Sequence, residues 1–384
     1  MGAWLHLTVS FMVWLLIGAL SIPLAQDLGL DDQQIALLVA TPLLSGAVLR
    51  IVAGWSADWI GARRTALAIL LFESFALLWG WLGVADAGGA AILSLCLGVS
   101  GASFAVALPI AGRAYPPAAQ GLVLGLAGSG NIGTVVILFF APRWAESLTW
   151  HGVCALMAGV VTVTTVAVAA LVPPEVRAPV ISSVKWWHNV AALVRRRAAY
   201  WLCLLYGVTF GGFVGLCSLL PLLLHEAHGL DAVGAGALAA LCGLFGSLIR
   251  PLGGYAADRQ GGLRTLHYVL PVIAGTVVAV TSPSLPMAVA MMVTAAAAMG
   301  FGNGVVFQLV AEWFPKEIGL ASGVVGAAGG VGGFLLPLVA GMVKEFTGSY
   351  EPGLWLFAGL AICAWGTVLV ALRTRTVSSA ESSS

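Results

Sequence analysis

Residues 49–65 read LRIVAGWSADWIGARRT, and residues 249–265 read IRPLGGYAADRQGGLRT. Arg50, Gly54, Ala57, Asp58, Gly61, Arg64 and Thr65 recur as Arg250, Gly254, Ala257, Asp258, Gly261, Arg264 and Thr265, all at one fixed offset. A second match lies downstream, Pro117-x-x-x-Gly121-Leu122 against Pro315-x-x-x-Gly319-Leu320. Glycine-dense stretches follow both, GLVLGLAGSGNIG (121–133) and GLASGVVGAAGGVGG (319–333). Each repeated arginine ends a long uncharged run, LLVATPLLSGAVLR in one copy and ALAALCGLFGSLIR in the other. A guanidinium at membrane depth is costly, so such residues face an interior cavity and act there. Two of them, with almost no buried acid to neutralise them, ask for an anion.

Composition sets the solvent. Of 384 residues 60% are hydrophobic and 9% charged, where a soluble domain carries about 25% charged residues. The chain therefore reads as an integral membrane protein with little material for a soluble domain. A net charge of +1 and the lack of a basic tract interleaved with aromatics argue against a nucleic-acid surface. Cys96, Cys154, Cys203, Cys217, Cys242 and Cys363 are scattered through apolar stretches without a C-x-x-C or Cys/His cluster. They read as small core residues, and neither a metal nor another cofactor is expected.

Apolar windows long enough to cross ~30 Å of hydrocarbon fall at 4–25, 34–54, 66–84, 89–112, 120–141 and 150–172, then at 198–224, 232–254, 266–282, 285–310, 319–343 and 352–372. The first lacks a basic leader and is longer than a signal-peptide core, so it reads as a retained span. Loops after even-numbered spans hold Arg63, Arg64, Arg113, Arg177, Lys185, Arg195, Arg196, Arg197, Arg259, Arg264 and Lys316, and the C-terminus holds Arg373 and Arg375. The other side has only Arg143 and Lys344, while Asp27, Asp31, Asp32, Asp86, Glu226 and Asp231 gather there. The positive-inside rule then puts both termini in the cytoplasm of a multi-pass protein of the cell inner (plasma) membrane. The expected organisation is an N-terminal six-helix bundle (1–172), a cytoplasmic linker (173–197) with a short amphipathic segment, a C-terminal six-helix bundle (198–372) and a disordered tail (373–384). Parallel halves with a substrate site between them are one known transporter architecture; repeats also build channels, but here the duplicated element includes the buried cation.

The loops Gly54 to Arg64 and Gly254 to Arg264 resemble the cytoplasmic loop motif of the major facilitator superfamily. Within it the chain is similar to the nitrate/nitrite porter (NarK-type) family. Arg50 and Arg250, the glycine strings GSGNIG (128–133) and GAAGGVGG (326–333), the seventh-span string LLYGVTFGGFVG (204–215) and FMVW (11–14) carry the resemblance, which covers almost the whole chain. It implies an all-α fold of twelve transmembrane helices in two pseudo-symmetric six-helix halves. It implies that Arg50 and Arg250 clamp nitrate and that Tyr206 and Phe210 line the site, with Asn131, Phe11, Phe104, Gly128 and Gly130 as further lining. The glycine spans would let helices slide as the halves rock. Pro109-Ile110 and Thr134 depart from the family pattern and bear on substrate preference.

The chemistry fits that implication. Nitrate oxygens only accept hydrogen bonds, and guanidinium offers planar, permanently charged donors in a fork. The bland alternative pairs each arginine with an acid, but Asp58 and Asp258 lie eight residues on, about 12 Å along a helix. GSGNIG matches a dinucleotide fingerprint in letters only, without its strand–turn–helix context, and small residues there let backbones approach. Asn131 is either a packing residue or a substrate contact; Asn303, in GFGNG, reads as packing. Tyr206 and Phe210 share a helix face. Asp58, Arg64, Asp258 and Arg264 are candidates for a gating latch, or else a solvated loop. Glu73, in LLFESFALL, is the acid well inside a span; it is a candidate proton carrier or faces a vestibule. The leading expectation is a monomeric, non-enzymatic carrier of nitrate, and of nitrite as a further candidate, by proton symport or nitrate/nitrite exchange. The alternative is a permease of the same fold for another organic anion or drug. The leading expectation names a small inorganic anion as partner, with protons as a further candidate, and both readings name the lipid bilayer.

Overall fold

The computed structural model describes residues 1–113, 129–173, 183–314 and 318–381. Among these residues there is helix and no strand, as hydrocarbon demands: a helix satisfies its own backbone hydrogen bonds, so it spans a membrane without an edge. Ten helical stretches are long and apolar enough to cross. One of them, Ser129–Leu171, has 43 residues and turns at Thr149 (φ 62, ψ 169), so it holds the described part of the fifth span and all of the sixth. The first span adds three shorter pieces, Gly2–Trp14, Leu16–Ala19 and Ser21–Leu28. Twelve spans are accommodated in this way.

The duplication extends to turn and cap chemistry. Gly29 (φ 60) and Gly229 (φ 66) close the first and seventh spans in the left-handed region, where a Cβ is disfavoured. Asp31 and Asp231 then cap the second and eighth spans, accepting from the Gln34 and Gly234 amides at 2.7 and 2.8 Å. Thr65 and Thr265 each donate to the carbonyl of Gly61 or Gly261 at 3.0 Å. Asp86 caps the fourth span at Gly89. Several of the acids that gather on one side are thus helix caps. The last helix continues to Glu381, into the segment expected to be a disordered tail, because extending a formed helix is far cheaper than nucleating one.

The first, fourth, seventh and eighth spans each lose regular helical geometry at depth. The first leaves helical geometry at Leu15 and Leu20. The fourth tightens to a 3-10 turn over Gly98–Ser103, the seventh widens to a π turn over Gly207–Gly211, and the eighth breaks at Ile249 ahead of Pro251. Irregular backbone inside a membrane is tolerated where protein or a cavity surrounds it.

The halves meet along small residues. A Cβ on Gly330 of the eleventh span would sit 2.6 Å from the Ala47 Cβ of the second. Gly18 of the first span lies against Ser218 of the seventh, and Gly236 of the eighth against Pro142 of the fifth, at 3.0 and 2.7 Å by the same measure. One end of this seam carries an ionic clasp. Lys344 of the eleventh span donates to Asp32 of the second at 2.8 Å and pairs with Glu226 of the seventh. Tyr350 donates to Glu226 at 3.0 Å and lies under the Lys344 ammonium. Burial first, then the Glu226 and Asp32 charges, push the Tyr350 phenol above its ordinary range, so it stays a donor. The clasp is partly exposed, which limits its worth to about 1 kcal/mol, roughly a fivefold change in an equilibrium. Lys344→Ala in a Ser218→Cys background is therefore expected to raise the labelling rate of Cys at this seam position several-fold over Ser218→Cys alone, read by peptide mass spectrometry; an unchanged rate would show that the clasp does not hold that end shut.

Candidate functional site

The irregular segments surround the two arginines. Arg50, on Asp32–Trp59, is 2% exposed. Its Nε and Nη2 both donate to the Gly101 carbonyl of the 3-10 turn, at 3.2 and 2.9 Å, and Nη1 donates to the Gly326 carbonyl at 2.6 Å. Arg50 therefore touches both halves, through backbone oxygens alone. Gly326 leaves room for this approach: a Cβ there would stand 3.3 Å from Nη1.

Arg250 opens Arg250–Gln260 just after the Ile249 break and is half-buried. Two amides hold it. With their oxygens turned to the guanidinium, the orientation the surrounding donors and acceptors require, Asn131 accepts from Nη2 at 2.7 Å and from Nη1, and Asn303 accepts from Nη2 at 3.0 Å and Nε at 3.2 Å. Asn303 is thus not the plain packing residue expected: the tenth span turns it onto the cation. Its signal was a lone amide in an apolar glycine-rich span, the same signal that singled out Asn131.

Between the arginines lies Phe210, placed by the π turn. The Arg50 and Arg250 Cζ atoms sit 5.7 and 5.5 Å from its ring centre. The Tyr206 ring stacks on Phe210 at 4.9 Å and 7°, within electrostatic reach of both cations. Around Arg50 stand Trp14 at 5.7 Å and Phe104 at 5.5 Å, and beside Arg250 stands Phe213 at 5.3 Å. Such ring faces add about 0.5–2 kcal/mol each to holding a cation without neutralising it. Among the described residues no carboxylate pairs with either guanidinium.

The structure thus brings together Arg50, Arg250, Tyr206, Phe210, Asn131 and Phe104. Phe11 is one ring removed, edge-on to Trp14 at 5.2 Å. Gly130 packs on Leu7, a contact between the first and fifth spans, and Gly128 lies outside the described residues. Trp14, Phe213 and Asn303 are additions to the expected lining, as is Phe307 of the tenth span, whose ring meets Phe104 at 6.1 Å and Tyr206 at 5.1 Å; Trp14 belongs to FMVW. Of the latch candidates, Arg64, Asp258 and Arg264 are exposed at helix ends, and the Asp58 side chain is outside the described residues. Glu73 is fully buried in the third span and makes no hydrogen bond to either arginine.

The arrangement is a pair of permanent cations with oriented dipoles behind them and aromatic walls, suited to a small acceptor-rich anion rather than to bond-making chemistry. Comparison with known proteins agrees. The Major Facilitator Superfamily profile matches residues 3–310. The chain is 35% identical to a probable nitrate/nitrite transporter NarK2 of Mycobacterium tuberculosis, over 95% of this chain and 93% of the relative. It is 33% identical to a nitrite extrusion protein of Bacillus subtilis, over 95% and 92%, and 30% identical to a probable nitrate transporter NarT of Staphylococcus epidermidis, over 95% and 94%. Among solved structures, a bacterial homologue of the human lysosomal transporter Spinster, inward-facing and occupied, superposes with a TM-score of 0.76 at 17% identity, covering 97% of this chain and 96% of that one. The human organic anion transporter MFSD10 gives 0.73 at 16%, covering 96% and 98%. At those identities the structures speak for the fold. The chain is a multi-pass membrane transporter of the major facilitator superfamily, and within it a member of the nitrate/nitrite porter family.

Proposed function

We propose that this protein carries nitrate and nitrite across the cell inner membrane by alternating access, with the anion gripped between Arg50 and Arg250 and both termini in the cytoplasm. The observation that carries the reading is the absence of a carboxylate on either guanidinium among the described residues, with one cation contributed by each half. Carbonyl and amide oxygens orient the guanidiniums but leave their formal charge in place. An anion with oxygens on several sides completes what the dipoles begin, in charge-assisted and bidentate geometry. Phe210 and Tyr206 stand beside the two cations, an apolar wall that suits a small planar or bent anion. The printed names of the relatives, nitrate or nitrite in every case quoted above, point to the same cargo. The alternative, an organic-anion permease, has only the fold neighbours behind it.

Import against an inside-negative potential costs about 2.3 kcal/mol per charge per 100 mV, so uptake requires either a coupled proton or an outgoing anion. Purified protein in proteoliposomes is expected to take up labelled nitrate when nitrate or nitrite is trapped inside. Arg50→Lys and Arg250→Lys are each expected to weaken nitrate binding by about 10- to 150-fold, the worth of one charge-assisted hydrogen bond, ~1.5–3 kcal/mol. Nitrate-insensitive flux of an organic anion, retained in Arg50→Lys, would replace this reading with the alternative.

A packing test is independent of charge. A Cβ on Gly329 would stand 2.5 Å from the Tyr206 ring and 2.8 Å from Phe210, whereas one on Gly275 would meet nothing within 4 Å. Gly329→Val is expected to abolish nitrate flux while the protein still inserts and elutes as a single species. Gly275→Ala should transport as the parent does, and equal behaviour of the two variants in flux would show that the aromatic pair does not shape the site.

A further inference from the structure

A second polar cluster lies inside the first half, apart from the anion site. Glu73 of the third span is fully buried, and neither carboxyl oxygen has a hydrogen bond. Its neighbours are the Ser10 hydroxyl from the first span and the Ser100 hydroxyl from the 3-10 turn; both are buried, and neither makes a bond of good geometry. Side chains three apart eclipse on a 3-10 turn, which puts Ser103, also buried and unpartnered, on the face of Ser100. One helical turn before Ser10 comes His6, buried with both ring nitrogens unpartnered. Of the other ionisable groups on the enclosing elements, Arg50 sends its hydrogen bonds to the Gly101 and Gly326 carbonyls, Cys154 of the sixth span lies beside Gly80, two turns from Glu73, Cys96 sits on the fourth span ahead of the 3-10 turn, and Arg63, at the start of the third span, donates to the Ala169 carbonyl. Among the described residues no cation pairs with the carboxyl. Buried polar groups left open in this way mark a place for water or an ion, or a functional role.

Position ties this cluster to the anion. Ser100 meets Glu73, and the next residue, Gly101, takes two hydrogen bonds from Arg50. One short turn thus carries the carboxyl's neighbour and the anion site's support on adjacent residues. Charge gives the pairing a purpose. The guanidiniums are positive in every state. With nitrate bound and Glu73 protonated, the moving core has one net positive charge. With no anion and Glu73 ionised, it has the same charge, so loaded and empty carriers face equal electrostatic barriers. Without a titrating acid the empty carrier would hold one more uncompensated cation.

We propose that Glu73, faced by Ser10 and Ser100, is the proton site of an electroneutral symport of one proton with each nitrate. The carboxylate takes its proton on the side where the anion enters and releases it with the anion on the other side; no covalent bond to the anion forms or breaks. This rests on the anion reading above, and the test separates the two. In proteoliposomes acid outside by one pH unit, the parent and Glu73→Asp are expected to accumulate nitrate about tenfold, the ratio one pH unit supports at a one-to-one stoichiometry, whatever membrane potential valinomycin imposes. Glu73→Gln is expected to exchange labelled nitrate at the parental rate and accumulate none. The proposal is overturned if Glu73→Gln accumulates nitrate, if the parent exchanges nitrate without accumulating it, or if Glu73→Gln loses exchange in step with accumulation, which marks a structural role. A parent that does not exchange nitrate at all removes the anion reading, and the proton site with it.

Discussion

The rest of the molecule depends on how it keeps two guanidiniums inside a hydrocarbon-spanning bundle without cancelling them. A carboxylate beside each arginine would remove the buried charge and with it any call for an anion. Instead Arg50 is held by two peptide carbonyls and Arg250 by two amide oxygens, with aromatic faces around both. Dipoles and ring quadrupoles stabilise a cation and fix its direction, yet the site keeps its net charge. A guanidinium suits this role better than an ammonium, because it keeps its proton when desolvated and divides its donors between the protein behind and a ligand in front.

That arrangement explains where the backbone is irregular. A carbonyl in a regular helix already accepts from its own chain, and only its second lone pair is left for a distant arginine, as at Gly326. The 3-10 turn at Gly98–Ser103 presents the Gly101 oxygen to Arg50, and the π turn at Gly207–Gly211 sets Phe210 between the two cations. The break at Ile249 lets Arg250 start a new helical segment. Glycine does the complementary work on the facing helix. At Gly329 any side chain would collide with Tyr206 and Phe210, and at Gly330 with Ala47. A contact made of backbone and small side chains has few interlocking knobs, so it can shift register with little repacking.

The sequence disclosed what depends on residue type and period: the spans, the charge bias, the duplication and the two arginines. Asn131, Tyr206 and Phe210 needed the family resemblance, because an aromatic or an amide on an apolar helix has a packing explanation that is as good. The partners of Arg50 were hidden, since carbonyls carry no letter, and they come from residues 101 and 326, far away in the chain. Asn303 was visible as a letter and misread. Lys344 appeared only as an exception to the charge rule; its reason is the clasp with Asp32 and Glu226, an encounter of three spans that no local pattern encodes.

The duplicated arginines are no longer equivalent, and the difference bears on mechanism. Both reach across the seam, but to different acceptors: Arg250 to the Asn131 amide of the fifth span, and Arg50, through Nη1, to the Gly326 backbone carbonyl of the eleventh. Separating the halves at that level removes the carbonyl and leaves a buried donor unmatched, a cost of about 1–3 kcal/mol, and more for a charged group. An anion oxygen at the same donor removes the cost. On the proposed function, anion binding and parting of the seam therefore favour each other through these cross-seam donors, and linkage requires that each strengthen the other by the same factor. On the proposed function, the carrier opens at this level most readily when loaded, and that bias would turn a binding site into a transport cycle.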